Sequence, residues 1–363
     1  MRIEKVLIVD PIKGEFTGDV IIENERIKEV IPVDYEKYEQ ILMPGFVDYH
    51  THSLKGIDTM HAKKEDFEKW ANMNFEYGVT SFFPTTVSAS KTQILSVIKN
   101  LENVGESIDG LHLEGPFINE EKKGAQNPAY IRNPTIEELE EITPEMVKLI
   151  SMAPERQNFK EALNYLKTKK VRVSIGHSSA GYEIYKDAFK NGVDRITHFP
   201  NALSAFHHRE IGGTGSALLF DFKVEIIADG IHSVPEFIEL TYKIKGADKI
   251  ILITDSMEAA GLEDGQYELG GLPVTVKEGV ARLKSGSIAG STLLFDKGVR
   301  NFKKFTNCTL QDLAKVSSYN AAVDCGIKDI GRIENGYYAN MVLMDKDLNV
   351  LKTIFRGKEV YNK

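Results

Sequence analysis

The pattern of apolar and polar positions divides the chain into two kinds of region. At both ends, short runs rich in β-branched residues alternate with turn residues such as Pro11, Gly14 and Asn24, which is typical of β-strands. The predicted strands cover Lys5–Val9, Asp19–Glu23, Arg26–Val30, Met341–Met344, Leu351–Arg356 and Glu359–Tyr361. Together the two ends predict one small β-sandwich domain, formed by residues 1–43 and 335–363.

Between these ends, apolar strand-like runs alternate with amphipathic helical segments. Strands are predicted at Phe46–Asp48, Thr80–Phe83, Gly110–Leu113, Val147–Met152, Val171–Ile175, Arg195–Thr197, Val224–Ala228 and Lys249–Thr254, with helices such as Glu65–Tyr77, Phe159–Lys169, Tyr182–Lys190 and Pro235–Lys245. Such alternation builds a parallel sheet, either closed as a barrel or open and doubly wound. The open form would favour a glycine-rich phosphate loop after the first strand, and none is present. We therefore predict an α/β fold with a (β/α)8 TIM-like barrel over residues 44–334.

Composition narrows the class of protein further. A glycine-rich stretch at residues 265–290 interrupts the barrel pattern and predicts a β-hairpin insertion. The chain has 363 residues and a net charge of −8, which argues against a nucleic-acid partner, since that role needs a basic face. Its two cysteines are too few for a disulfide framework and are expected to be buried and free. No apolar run approaches the roughly 18 residues of a membrane span, so we expect no membrane partner and a cytoplasmic location.

Candidate chemistry clusters at the predicted strand ends. Five of the nine histidines lie at or just beyond the carboxyl end of a barrel strand, as do one glutamate and one aspartate. These residues are His50, His52, His177, His198, His232, Glu114 and Asp255. In a TIM barrel, these strand ends meet at one mouth, where active sites are built. The sequence therefore predicts that these side chains converge.

Histidine spacing favours a metal site at that mouth. His50 and His52 are two positions apart, and side chains two apart on a strand point to the same side. Neutral imidazole is the commonest protein ligand of metals. A lone His-x-His pair more often consists of two unrelated histidines, but here further histidines stand at matching strand ends. Glu114 is either a hard oxygen ligand, which could bridge two ions, or a carboxylate that supports a ligand.

Asp255 has two interpretations. It follows an apolar strand, so it could cap the helix that comes next, or it could act as a general base beside a metal site. His112 shares the strand of Glu114 and is assigned a packing role. His61, His207 and Cys308 carry no argument for chemistry and are assigned structural or surface roles.

The order of these residues resembles the amidohydrolase superfamily and, within it, the N-acetylglucosamine-6-phosphate deacetylase family. The motifs that carry the resemblance span most of the chain: Pro44–His52, His112–Phe117, Lys122–Gly124, Met152–Glu155, Gly176–Ser178, Thr197–Ala202, Ala228–His232, Thr254–Met257 and Ile288–Thr292. The resemblance implies hydrolysis of the acetamide of N-acetylglucosamine 6-phosphate with a divalent metal, zinc or iron, at one or two ions per subunit.

The resemblance also implies a role for each matching residue. Glu114, His177 and His198 would bind the catalytic metal, and His50 and His52 a second ion. Asp255 would be the general acid and base, while His232 would polarise the amide carbonyl. The phosphate would be held by Asn201, Ala202 and Arg209. Arg209 would reach the site of a neighbouring subunit, so a homodimer is expected.

One departure from the family pattern leaves alternatives open. Gln126 stands where the family often has a histidine that touches a sugar hydroxyl, so altered sugar contacts are expected. The alternatives are a deacetylase for N-acetylgalactosamine 6-phosphate, a cyclic-amide hydrolase and a non-catalytic barrel scaffold. A cyclic-amide hydrolase more often carries a carboxylated lysine where this chain has Glu114. A scaffold would have lost ligands that are all present here.

Overall fold

The computed structural model describes residues 1–363 and contains twenty strands. In chain order, they are β1 (Arg2–Asp10), β2 (Gly14–Glu23), β3 (Arg26–Pro32), β4 (Gln40–Pro44), β5 (Phe46–Thr51), β6 (Ser53–Leu54), β7 (Ile57–Asp58), β8 (Val79–Thr86), β9 (Leu111–Glu114), β10 (Val147–Met152), β11 (Arg172–Ile175), β12 (Arg195–Ile196), β13 (Lys223–Ile227), β14 (Ile250–Ile253), β15 (Gly265–Leu269), β16 (Leu272–Lys277), β17 (Val280–Leu283), β18 (Met341–Met344), β19 (Val350–Phe355) and β20 (Lys358–Asn362).

Ten α-helices accompany the strands. They are α1 (Lys64–Asn74), α2 (Lys91–Asn100), α3 (Ile136–Ile142), α4 (Phe159–Thr168), α5 (Tyr182–Lys190), α6 (Gly212–Leu219), α7 (Pro235–Lys245), α8 (Phe295–Thr306), α9 (Leu310–Ala314) and α10 (Asn320–Asp324). Single 3₁₀ turns occur at Phe75–Tyr77, Glu120–Lys122, Pro128–Tyr130 and Ala247–Lys249, and a π-helical turn at Lys315–Tyr319 joins α9 to α10. No helix is long and apolar enough to cross a membrane.

Eight parallel strands form the barrel, in the order β14-β13-β12-β11-β10-β9-β8-β5. Its two end strands meet, because the Asp255 N–H donates to the His50 carbonyl at 2.8 Å. The buried carboxylate of Asp48 strengthens this closure by accepting from the Thr254 hydroxyl at 2.6 Å. The strands are apolar and almost fully buried because helices cover the outside while side chains fill the interior. The predicted TIM-like barrel is confirmed.

The two termini build a separate sheet of seven strands, in the order β20-β19-β18-β4-β1-β2-β3. Along β1, Val6 and Ile8 face this sheet's own core, whereas Leu7 and Val9 pack into the barrel's core. This division follows from the two-residue period of a strand. The sheet is curled. Arg356, which follows β19 near one edge, contacts Glu25, which follows β2 near the other edge, with 3.4 Å between the guanidinium and the carboxylate. The predicted β-domain formed from both termini is confirmed.

The glycine-rich stretch forms a three-stranded antiparallel sheet of β15, β16 and β17. Leu269, Val274 and Val276 pack against Val87 and Met257, which lie beyond β8 and β14. The insertion is therefore fixed to the carboxyl-end mouth of the barrel by its own apolar core. Cys308 is buried and Cys325 is partly exposed, and both thiols are free.

Candidate metal centre

Six predicted residues meet at the barrel mouth in two groups of three. Glu114, His177 and His198 form one group, and His50, His52 and Asp255 form the other. All six are buried, and they come from β5 and the residue that follows it, from β9, and from the loops that follow β11, β12 and β14. Residues that are distant in sequence converge here because all these strands are parallel and end at one rim.

The first group is compact. Glu114 Oε1 lies 3.1 Å from His177 Nε2 and 2.9 Å from His198 Nε2, and the two Nε2 atoms are 3.0 Å apart. Two imidazole nitrogens and a carboxylate oxygen at these distances provide the mixed donor set that zinc and iron accept.

The second group is slightly wider and shares Glu114 with the first. Asp255 Oδ1 lies 3.1 Å from His52 Nε2 and 3.4 Å from His50 Nε2. The two Glu114 oxygens also reach these imidazoles: Oε1 is 3.4 Å from His50 Nε2, and Oε2 is 3.4 Å from His52 Nε2. The Glu114 carboxylate therefore lies between the groups, where it could serve one ion or bridge two.

Hydrogen bonds behind three of the four imidazoles direct their Nε2 atoms toward the centre. His177 Nδ1 is 2.8 Å from the Lys122 carbonyl, and His52 Nδ1 is 3.0 Å from the Thr85 carbonyl. A carbonyl only accepts, so each Nδ1 carries the proton, and in the neutral ring each Nε2 presents a lone pair. His50 Nδ1 faces Glu225 Oε2 at 2.9 Å in the same way.

The two buried carboxylates of the six residues, Glu114 and Asp255, favour positive charge beside them. Burial by itself lowers the pKa of His52, yet its hydrogen bonds with Asp255 and Glu114 outweigh burial and raise that pKa to about 9. His50 Nε2 is buried with no hydrogen-bond partner. A divalent cation binds to imidazole lone pairs and to carboxylate oxygens. Both kinds of ligand converge here around the unpartnered His50 Nε2, so the residues fit such an ion.

Backbone strain coincides with the site. His177, His198, Ala202 and Asp255 have φ values of +48°, +31°, +54° and +50°. This left-handed region is unfavourable for residues other than glycine, and such strain is concentrated at functional sites. No helix begins directly after Asp255, which removes the helix-cap interpretation of that residue.

A cavity of about 400 Å³ opens over the site and is lined by five of the six residues, all except His50. His232, Asn201, Ala202 and Gln126 contribute to its wall, and the insertion adds Leu269. The His232 side chain is 7% exposed, and its Nδ1 lies 2.7 Å from Asp229 Oδ2. Burial lowers the pKa of His232, but the hydrogen bond with Asp229 outweighs it, so the pKa is raised.

Two predicted substrate residues have placements that the sequence did not indicate. Gln126 lines the cavity, but its amide group donates to Glu114 and accepts the Ser88 N–H at 2.5 Å. It therefore braces a candidate metal ligand, leaving only part of its amide for a sugar. Arg209 is exposed, does not line the cavity of its own chain, and has its guanidinium 2.8 Å from His208 Nε2.

The remaining histidines show no sign of chemistry. His112 is buried, 2.8 Å from the Ser151 hydroxyl and stacked edge-on against His50. His61 and His207 are exposed. Sequence reasoning missed the Lys122 carbonyl and Glu225, which contact the Nδ1 atoms of His177 and His50. A signal for Glu225 was available, because a lone carboxylate in the apolar run Val224–Ala228 must have a buried partner.

Comparison with known proteins defines the class. Residues 41–360 match the amidohydrolase family, and the chain belongs to that family. It is 38% identical to the N-acetylglucosamine-6-phosphate deacetylase of Bacillus subtilis, over 93% of this chain and 89% of that protein. It is 34% identical to the N-acetylgalactosamine-6-phosphate deacetylase of Escherichia coli O157:H7, over 91% and 90%.

Solved structures agree with these sequence comparisons. The N-acetylglucosamine-6-phosphate deacetylase of Thermotoga maritima covers 100% of both chains, with 48% identity and a TM-score of 0.96. A mutant of the Mycobacterium smegmatis deacetylase was solved in complex with N-acetyl-D-glucosamine-6-phosphate. Its alignment with this protein covers 100% of this chain and 99% of the M. smegmatis chain, with 26% identity and a TM-score of 0.94. The resemblance to these deacetylases is confirmed.

Proposed function

We propose that this enzyme hydrolyses the acetamide of N-acetylglucosamine 6-phosphate to acetate and glucosamine 6-phosphate. The observation that carries the proposal is the convergence of two imidazole–carboxylate groups beneath a cavity of about 400 Å³. Relatives with 38% and 48% identity carry this activity in their names, and the M. smegmatis relative binds the substrate. A scaffold that had lost its chemistry would not retain a complete ligand set and a carboxylate beside it.

Glu114, His177 and His198 would hold one divalent cation, and His50 and His52 would provide ligands for a second. When bound, such a cation supplies Lewis acidity, which lowers the pKa of water and polarises a carbonyl oxygen. The orientation of these ligands is set by the chain itself. Carbonyls of Lys122 and Thr85 hold two of the rings, and Gln126 holds the Glu114 carboxylate.

Asp255 is placed to act as the general base and acid. Its carboxylate reaches the centre of the cluster, and His50 and His52 overcome the effect of burial and keep its pKa low. It therefore stays ionised and can accept a proton from the attacking water. The same carboxyl group then delivers that proton to the amine, which leaves as the C–N bond breaks.

His232 is placed to stabilise the negative charge that develops on the amide oxygen. Asp229 occupies its Nδ1, so only the doubly protonated ring can also donate from Nε2. The raised pKa of His232 favours that form. A donor that is aimed at a developing oxyanion contributes more to catalysis than one that binds the ground state.

The phosphate would bind beyond β12. Asn201 lines the cavity with its side-chain amide 3.0 Å from the His198 carbonyl, and Ala202, whose φ is +54°, lines the same cavity. In this subunit Lys122 is the only cationic side chain of the cavity wall besides the histidines. A dianionic group therefore needs a further cation, and Arg209 of a second subunit would supply it with a planar fork.

The chain between residues 206 and 244 offers apolar surface for a homodimer. Six large apolar side chains are exposed in this stretch, which includes Arg209: Phe206, Leu219, Ile231, Val234, Leu240 and Ile244. Exposed apolar side chains mark an interaction surface when they lie together. We therefore propose a dimer in which each subunit completes the phosphate site of its partner.

The direct test is acetate release from N-acetylglucosamine 6-phosphate by protein loaded with zinc, iron, manganese or cobalt. N-acetylgalactosamine 6-phosphate is the matched substrate, because the E. coli relative named for that sugar is 34% identical. The sequence resemblance also leaves the choice of sugar open at Gln126. No turnover with any of the four metals would refute the proposal. Faster turnover of the galacto sugar would reassign the substrate and not the reaction.

The shared site is tested with Arg209→Ala. This variant should raise KM for the phosphorylated sugar far more than for unphosphorylated N-acetylglucosamine. Protomers of Arg209→Ala mixed with protomers of Asp255→Asn should regain activity, since one hybrid site has both residues intact. Equal losses on both sugars would contradict the phosphate role, and no recovery after proven subunit exchange would contradict the shared site.

A further inference from the structure

A network of buried charges lies inside the barrel beneath the mouth. Arg195 on β12 contacts Glu225 Oε1 through Nε at 2.9 Å and Nη2 at 2.6 Å, and its Nη1 donates to Asp324 of α10. The other Asp324 oxygen accepts from Lys223 at 2.6 Å. The side chains of Arg195, Glu225 and Asp324 are 1%, 0% and 0% exposed. Polar groups held this deep need complete hydrogen bonding, and here they have it.

Glu225 connects this network to the mouth. While Oε1 is engaged by Arg195, Oε2 faces His50 Nδ1 at 2.9 Å and accepts the His198 N–H at 3.1 Å. His50 and His198 belong to different groups of the candidate metal centre. The Glu225 carboxylate therefore contacts one residue from each group. The Lys122 and Thr85 carbonyls each contact a single ring.

We infer that Glu225 is a positioning residue, which holds His50 in the tautomer with Nδ1–H and aims its Nε2 lone pair at the metal centre. The inference rests on the proposed metal-dependent function but concerns a residue outside the ligand set. Carboxylate–histidine pairs of this kind fix the ring's tautomer and orientation and strengthen it as a ligand. Arg195 in turn holds Glu225 in place, because its Nε and Nη2 both donate to Oε1 and leave Oε2 for His50 and His198.

Glu225→Gln changes the hydrogen bonding and keeps the size. If the new amide oxygen faces Arg195, the NH₂ group faces His50 Nδ1 and the His198 N–H, where an acceptor is needed. His50 must then move its proton to Nε2, which removes the lone pair from the centre. If the amide rotates, its NH₂ group faces the donors of Arg195 instead. We expect zinc bound through His50 to weaken by about 10–100-fold.

The matched control is Asp324→Asn. It removes one carboxylate from the same buried network and contacts the same guanidinium, but it does not touch His50. A purely structural role for Glu225 predicts the same loss of zinc binding in both variants. A positioning role predicts the loss only in Glu225→Gln, and equilibrium dialysis with zinc distinguishes the two. Equal weakening in both variants, or none in Glu225→Gln, would overturn the inference.

A second measurement is made on the unaltered protein, and it uses one variant only to assign the signals. In protein with ¹⁵N-labelled histidine and bound zinc, the ring shifts of His50 should report a proton on Nδ1; its signals are those missing from His50→Gln. A proton on Nε2 of His50 would refute the inference. This measurement does not depend on turnover. An inactive protein would contradict the proposed function, whereas the ring shifts of His50 alone would decide the role of Glu225.

Discussion

Two buried clusters of ionisable side chains lie at different depths of the same barrel, and they handle charge in opposite ways. The deep cluster contains Arg195, Glu225, Asp324 and Lys223, so its two carboxylates face two cations of the chain. The mouth cluster contains two carboxylates and four imidazoles and no arginine or lysine. The deep cluster is complete within the chain, whereas the mouth cluster needs protons or a metal ion.

This difference separates structural networks from functional ones. Burial favours neutral groups, so a buried charge persists only with a partner. The guanidinium of Arg195 satisfies that requirement permanently, because it does not deprotonate in proteins. The mouth instead leaves His50 Nε2 buried and unpartnered. An unsatisfied group beside satisfied ones is where an exchangeable ligand is expected to bind.

The largest effect should come from Asp255→Asn at the mouth. It removes a general base while preserving shape, so kcat should fall by about 10²–10⁴. The first group, with Glu114, His177 and His198, should still bind metal, and the fold should persist. Metal content and stopped-assay kinetics check this. Near-normal kcat would assign proton transfer to another group.

In the deep cluster, Arg195→Met should chiefly reduce stability. It leaves Glu225 and Asp324 with fewer compensating partners, and breaking a buried pair reduces the free energy of unfolding by about 3–5 kcal/mol. Arg172→Met is the control, because Arg172 approaches the same Asp324 at 3.6 Å but is 42% exposed; exposed pairs contribute about 0–1 kcal/mol. Denaturant unfolding of both variants measures the difference, and similar losses would contradict the contrast between the two depths.

Replacing His50 and His52 together by glutamine should lower the number of metal ions bound and should not abolish binding. The reason is that the first group retains its three ligands, with distances of 2.9–3.1 Å from Glu114 to its imidazoles. His112→Gln is the control at the same depth, since His112 touches His50 but belongs to neither group. Elemental analysis decides between the outcomes, and complete loss of metal would mean one site that depends on both groups.

The smallest effect should be a shift in pH dependence. Asp229 raises the pKa of His232, so the protonated ring persists to higher pH and is lost only as pH rises through that pKa. Asp229→Asn removes the cause, and the alkaline limb of kcat/KM should move to lower pH. Its acidic limb should stay in place because it depends on other groups. An unchanged alkaline limb would show that protonated His232 does not take part.

Much of the fold and the site could be predicted from the sequence because both depend on local pattern and on chain order. The alternating strands and helices predicted the barrel, and the β-rich ends predicted the terminal sheet. Histidines and carboxylates at strand ends predicted the mouth cluster, since parallel strands end on one rim. The His50–His52 spacing even predicted that two rings share one side.

Other features depend on contacts between distant segments, which no local pattern contains. Gln126 was expected against the sugar, yet its amide braces Glu114, because the loop after β9 folds back over the carboxylate. The partners of Glu225 lie on three different elements, β5, β12 and the loop after β12. Arg209 does not line the cavity of its own chain, and the phosphate role that we propose for it depends on a second subunit.

The sequence by itself therefore determined which elements form and which residue types gather at the barrel mouth, because strand periodicity and parallel topology bring strand ends together whatever the details of packing. Only the tertiary structure decided which imidazole nitrogen faces the centre in His50, His52 and His177. That choice belongs to the acceptors behind the rings, namely the Lys122 and Thr85 carbonyls and the Glu225 carboxylate. A hydrogen bond requires atoms within about 3 Å, and long-range packing alone sets such distances between segments so far apart in the chain.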